Sequence, residues 1–150
     1  FLTLYIMSPV IDRINVEAYQ PYLREEISQE EVVERMVVPL KEFMLRNTEV
    51  DTLDHFLQIS GTELREDPMD YPLTVIVPSF MTTELKRGFI AGFLIYLPFL
   101  LVDIIVSTTL MSMGMVMLPP AMVSMPFKLL LFVTVDGWEL LFTSIATVYR

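Results

Sequence analysis

The sequence predicts an all-α protein: a membrane-type helical hairpin behind a small acidic helical domain that reads as extracytoplasmic. Three observations predict it. The charges are segregated, with 16 acidic and 6 basic side chains between Asp12 and Glu84, a net of −10, whereas from Gly88 to Tyr149 only Asp103, Lys128, Asp136 and Glu139 are charged. A water-soluble fold spreads its charges more evenly, because each helix needs one wet face. The run GFIAGFLIYLPFLLVDIIVSTTLM, Gly88 to Met111, holds 24 residues and one charge. At about 1.5 Å per residue it is long enough to cross a hydrocarbon core of roughly 30 Å. In the acidic half, apolar residues recur at helical rather than alternating spacing.

Three regions follow: 1–11, the end of an apolar helix; 12–78, the acidic domain; and 79–150, the hairpin. The chain opens at Phe1 inside an apolar run, without an initiator Met, so it is expected to be a piece of a longer protein. Its first helix is expected to close near Pro9, because proline breaks the helical ladder. Asp12 to Tyr22 is polar and mixed. Ser28 followed by Glu31 is a capping box, in which each side chain satisfies the other's backbone N–H. Behind it Val32, Val33, Met36, Leu40, Phe43 and Met44 form one apolar helical face, which Pro39 should kink or divide. A second helix is expected from Thr48 to Ser60, with Leu53, Phe56 and Leu57 inward and Gly61 as its stop. Thr62 to Pro72 is a charged, proline-bearing loop. Leu73 to Val77 is apolar but short. Ser79, Thr82 and Thr83 can each cap the next helix, with Glu84 in its first turn where the helix dipole favours a negative charge. Gly114 and the Pro119–Pro120 pair break the chain between the long run and a second apolar stretch, Ala121 to Tyr149. Hence a hairpin with a methionine-rich turn.

Several function classes are excluded or disfavoured. There is no cysteine, so disulfides and thiolate metal sites are excluded. The acidic balance argues against nucleic acid, which calls for a basic patch. No Ser/His/Asp order, Gly-rich phosphate loop or zinc motif is present. His55, the one histidine, sits in an amphipathic helix and reads as a surface or half-buried helix residue rather than a catalyst or ligand. Asp103 and Asp136 invite comparison with intramembrane aspartyl proteases, but the VDGW around Asp136 lacks their Gly-x-Gly-Asp arrangement, and Lys128 is a poor neighbour for such a dyad. No cofactor is expected.

The charges left in apolar surroundings are the functional candidates. Asp103 lies eight positions before Met111 and Lys128 eight positions after Pro120. In an antiparallel hairpin both then stand about 12 Å from the turn, where each offsets the cost of burying the other. The plainer reading is a structural ion pair that fixes the hairpin's register; the sharper one is a proton or ion pathway. Asp136, Glu139 and Lys86 are candidate interface charges. Orientation is ambiguous from charge alone, since the acidic domain suggests the outer side while Lys86-Arg87 pulls the other way. Six of the eleven methionines fall between Met111 and Met125, with Met111, Met113, Met115 and Met117 alternating. Methionine is flexible and polarizable, suited to ordinary apolar packing or lipid contact and equally to a seal that reshapes around a moving chain. Pro98 and Pro126 free backbone carbonyls within the apolar helices, which is tolerated where neighbouring helices supply partners.

These residues resemble one family, the flagellar biosynthesis protein FliP and its counterparts in virulence type III secretion. The resemblance rests on MSPVID (Met7 to Asp12), AYQPY (Ala18 to Tyr22), PLKEFMLR (Pro39 to Arg46), TELK (Thr83 to Lys86), GFLIYLPFLLVD (Gly92 to Asp103), MSMGMVMLPP (Met111 to Pro120) and PFKLLLFVTVDGW (Pro126 to Trp138). An ordered set of this length is far more specific than any one motif, and it covers nearly the whole chain.

The resemblance implies a non-enzymatic subunit of a protein export gate. Family members form a pentameric ring with two small membrane proteins, FliQ and FliR in the flagellar system. The ring is a channel for unfolded flagellar proteins in the bacterial inner membrane, at the flagellar basal body. A methionine-rich loop acts as its gasket, here Met111, Met113, Met115 and Met117, with Val116 standing where the family commonly has Met. The resemblance also implies that neighbouring subunits hold the hairpin in a helical assembly raised out of the bilayer. Lys86-Arg87 then no longer constrains orientation. The competing reading is a structural nucleus for assembly of the secretion apparatus, without a gating role.

Overall fold

The computed structural model describes residues 1–115 and 117–149. The chain is all-α, and every regular element among the described residues is helical. The helices are α1 (Leu2–Ile14), α2 (Gln20–Leu23), α3 (Gln29–Asn47), α4 (Val50–Ser60), α5 (Leu73–Ser112), α6 (Pro120–Thr134) and α7 (Gly137–Val148). A π-helical turn (Asn15–Tyr19) links α1 to α2, and a 3-10 turn (Pro68–Asp70) precedes α5. The chain divides into two compact units: Phe1–Arg87 with Tyr149, and Gly88–Val148.

In the first unit the helix expected to stop near Pro9 runs on to Ile14. Pro9 cannot offer an N–H to the carbonyl four residues back, that of Tyr5. The Ser8 hydroxyl donates to that carbonyl instead, at 3.0 Å. The same substitution recurs at Pro21. The Glu17 carbonyl loses its ladder partner there, and the Arg35 guanidinium of α3 donates to it at 3.4 Å. Just before Pro21 the backbone passes through the π-helical turn, with the Gln20 N–H reaching back to Asn15. The segment Asp12–Tyr22, read from sequence only as polar and mixed, is therefore helical throughout. The two ladder gaps, at Tyr5 in α1 and at Glu17 in this segment, are filled by side chains, a rescue that proline position alone does not reveal. Arg13 bonds Glu17 at 3.2 Å and Glu42 of α3 at 2.5 Å. Arg35→Ala should remove the Glu17 carbonyl's partner and lower the unit's thermal stability by about 1 kcal/mol. Faster amide exchange over residues 15–21 is the accompanying signature.

Glu25 ends this helical run in the left-handed region, φ 59°. The Glu26 N–H bonds the Pro21 carbonyl and the Glu25 N–H that of Tyr22, a Schellman closure in which glycine is the unstrained residue. Glu25→Gly should therefore stabilise the protein by about 0.5–1 kcal/mol, read as a raised melting temperature.

At the start of α3, Ser28 accepts from the Glu31 N–H at 3.2 Å, but the reciprocal half of the expected capping box is not made. The Glu31 carboxylate instead pairs with Arg35 one turn on, at 2.6 Å, a charge-assisted bond that outcompetes a neutral N–H. Pro39 is buried inside α3 and does not divide it. Of the expected face, Val32 is buried, Met36, Phe43 and Met44 half-buried, and Val33 and Leu40 exposed.

The core of this unit is Leu57, Tyr71, Val75 and Ile76, with Met44, Leu45, Leu53 and Phe56 against it. Gly61 closes α4 at φ 64°, and the Thr62 N–H returns to the Leu57 carbonyl. The Tyr71 hydroxyl accepts from the Arg65 N–H at 3.2 Å, tying the charged loop to the core. Helix α5 begins at Leu73, six residues earlier than Ser79, the first expected cap. The short LTVIV run is its first turn, buried at Val75 and Ile76. Ser79 and Thr83 lie on the same stripe, fully buried. They act within the helix rather than at its start. Ser79 donates to the Val75 carbonyl at 2.7 Å, and Thr83 accepts from the Glu49 N–H at 3.2 Å, fixing the start of α4 on α5.

Candidate functional site

Helix α5 has 40 residues and is long and apolar enough to cross a membrane. Its last four turns carry three hydroxyls that bond back to their own helix. Thr108 donates to Ile104 at 2.9 Å, Thr109 to Ile105 at 2.7 Å, and Ser112 to Thr109 at 2.7 Å. These three hydroxyls are thus satisfied within the helix, as an apolar environment would require of them.

Helix α6 returns beside α5, and the two meet at one polar contact. The Lys128 ammonium donates to one carboxylate oxygen of Asp103 at 2.6 Å, and the Ser124 hydroxyl donates to the other at 2.6 Å. Asp103 and Lys128 are about 30 % exposed, while Ser124 is fully buried. Ser124 and Lys128 are four residues apart, hence on one face of α6. The carboxylate so held has both oxygens engaged and its charge balanced, and it pins α6 to one register on α5. Ser124 was not singled out from sequence. The available signal was its i, i+4 relation to Lys128, on the face that Lys128 presents to Asp103.

The turn between α5 and α6 is closed by backbone geometry at Gly114. Its φ is 71°, the Gly114 N–H bonds the Met111 carbonyl at 3.1 Å, and the Met115 N–H bonds that of Leu110 at 3.0 Å. Beyond it Pro119 and Pro120 set the start of α6. Met111, Met113, Met115 and Met117 are all exposed, from 42 % to 97 %. Val116 lies outside the described residues. Met122 and Met125, on the first turns of α6, are exposed as well.

The second apolar stretch, expected as one run from Ala121 to Tyr149, is broken in two. Helices α6 and α7 meet at 56°. Asp136 takes φ 48° and its carbonyl accepts the Leu140 N–H at 3.1 Å, so it closes one helix and opens the next. Gly137 follows against the Phe132 ring, where an added Cβ would stand 2.4 Å from a ring carbon. Phe132 lies between Phe99, at 6.2 Å, and Trp138, at 5.1 Å, and Trp138 stacks on Phe142. The Asp-Gly pair is a turn dipeptide and was the legible sign of this break. Asp136 and Glu139 are exposed at the bend.

The remaining candidates lie elsewhere. Lys86 pairs with Glu49 at 2.6 Å in the first unit. His55 is exposed, its ring edge-on to Phe56. Among the described residues no group of three or more His, Cys, Asp or Glu is placed to hold a metal ion.

Comparison with known proteins places these features in one family. The FliP family model matches residues 1–145. The flagellar biosynthetic protein FliP of Aquifex aeolicus is 48 % identical over 152 residues, covering 100 % of this chain and 64 % of that protein. Its namesake from Pectobacterium carotovorum is 46 % identical over 146 residues, covering 97 % of this chain and 57 % of that protein. That of Bacillus subtilis is 46 % identical over 145 residues, covering 97 % and 66 %. The chain thus spans roughly 57–66 % of the length of these relatives.

Proposed function

The chain belongs to the FliP family, and on that premise we propose that it is a subunit of a flagellar-type protein export gate. In this reading several copies close a ring with FliQ-like and FliR-like membrane proteins in the bacterial inner membrane. Unfolded flagellar proteins pass through it, and residues 12–78 face the extracytoplasmic side. The methionine turn is its gasket, and Asp136 and Glu139 meet a neighbouring subunit.

The observation that carries the reading is the turn itself. Four methionines are exposed at the closed end of an apolar hairpin, where a soluble fold would place polar side chains. Unbranched thioether side chains can repack against a passing polypeptide of changing shape. The Asp103–Ser124–Lys128 contact supports the same reading. It holds the hairpin rigid about 12 Å from the turn, at 1.5 Å per residue, so that the methionines are presented from a fixed base.

Native mass spectrometry of the intact protein, co-expressed in detergent with its two expected small partners, tests this. A stoichiometric ring of several copies carrying both partners is the expected result. A lone monomer or dimer without partners overturns the gate.

A further inference from the structure

We propose that Gly114 is the positioning residue of the gasket, and that its left-handed backbone is what presents the methionines as a turn instead of winding them into α5. This rests on the gate reading above. From Leu73 onward α5 runs without a break to Ser112, and the residues after it, Met113, Met115 and Met117, are good helix formers. The next obligatory stop is the Pro119–Pro120 pair. The Ser112 hydroxyl bonds back to the Thr109 carbonyl at 2.7 Å, as Ser does within helices, and does not by itself close the helix. What ends it is φ 71° at Gly114, with two hydrogen bonds returning to Met111 and Leu110.

A Cβ added at Gly114 would meet nothing within 4 Å. Steric contact therefore does not account for the glycine; the backbone conformation does. A residue with a Cβ disfavours this φ by an amount that lowers the population of the closed turn about 5–30-fold. The helix then runs on, and Met115 and Met117 turn onto its surface with the helical rotation of about 100° per residue. Asparagine tolerates the left-handed region better than other side chains, so it should retain most of the turn. A β-branched residue should retain least.

The experiment measures ion leakage across the membrane of cells producing the intact gate, with assembled complex quantified in parallel by native mass spectrometry. Met115→Ser with Met117→Ser is the control on the gate, and Gly114→Val and Gly114→Asn test the turn. The inference expects the methionine double variant and Gly114→Val to leak several-fold more than the parent at equal assembly. It expects Gly114→Asn to stay close to the parent. Gly114→Val as tight as the parent, while the methionine variant leaks, overturns the role of Gly114 and leaves the gate standing. Equal leakage from Val and Asn overturns it too, since backbone conformation would then not be the cause. A tight methionine double variant removes the gate and this inference with it. Should Gly114→Val fail to assemble, Gly114→Ala against Gly114→Asn gives the same comparison at smaller amplitude, and equal leakage again overturns the proposal.

Discussion

Lys128→Met and Asp103→Leu should each lower the melting temperature of the assembled protein, while the double variant should lose less than the sum of the two. The two side chains are 2.6 Å apart, and Ser124 engages the second carboxylate oxygen. Removing Lys128 leaves a partly exposed carboxylate with one neutral donor, Ser124. Removing Asp103 leaves an ammonium with no acceptor. Either remainder keeps a partly covered charge without its counter-charge, and at about 30 % exposure solvent screens part of the loss. Removing both leaves only apolar packing and the Ser124 hydroxyl, which also bonds the Ala121 carbonyl at 3.3 Å. Melting temperatures of the intact complex in detergent, arranged as a double-mutant cycle, measure the coupling. Single losses that simply add in the double variant would show a pair solvated as at a protein surface and would remove its claim to hold the hairpin.

Gly137→Ala should cost about 1–3 kcal/mol, and Phe132→Leu in the same chain should recover much of it. An alanine Cβ would stand 2.4 Å from one ring carbon of Phe132 and 2.5 Å from another. That ring cannot simply swing away, because Phe99 and Trp138 pack on it. The accommodation must come from the bend between α6 and α7, which would disturb the stack of Trp138 on Phe142 as well. The melting temperature of the assembled protein and the emission of Trp138, the one tryptophan, report the two consequences separately. A neutral Gly137→Ala would mean that the bend yields freely and that Phe132 does not define it.

The architecture was legible because its causes are local. Charge segregation marks the second half of the chain as the apolar one. The offsets of eight residues on either side of the turn put Asp103 and Lys128 at one depth, since helical rise is fixed, and the two meet. Gly61 stops α4 because a glycine after a periodic apolar run is the cheapest way to end a helix. Pro9 was misjudged for the opposite reason. It and Pro21 each remove a backbone donor, and Pro9 was read as the end of its helix, while Pro39, expected to kink or divide α3, does not divide it. Whether the helix continues depends on what else reaches the orphaned carbonyl. For Pro9 it is Ser8, one residue away; for Pro21 it is Arg35, on another helix.

The same distinction covers the candidate site. By itself the sequence determined that the chain is helical, that one stretch is long and apolar enough to cross a membrane, that a methionine-rich turn divides the hairpin, and which family the chain resembles. Period, length and composition carry those facts without knowledge of neighbours. Only the tertiary structure decided where α5 begins, because Ser79 and Thr83 become interior residues once the Leu57 and Ile76 core forms. Ser124 as the second donor to Asp103 and the contact of Gly137 with Phe132 also belong to the structure. Both depend on distances between residues brought together by packing, and such distances are not properties of any segment alone.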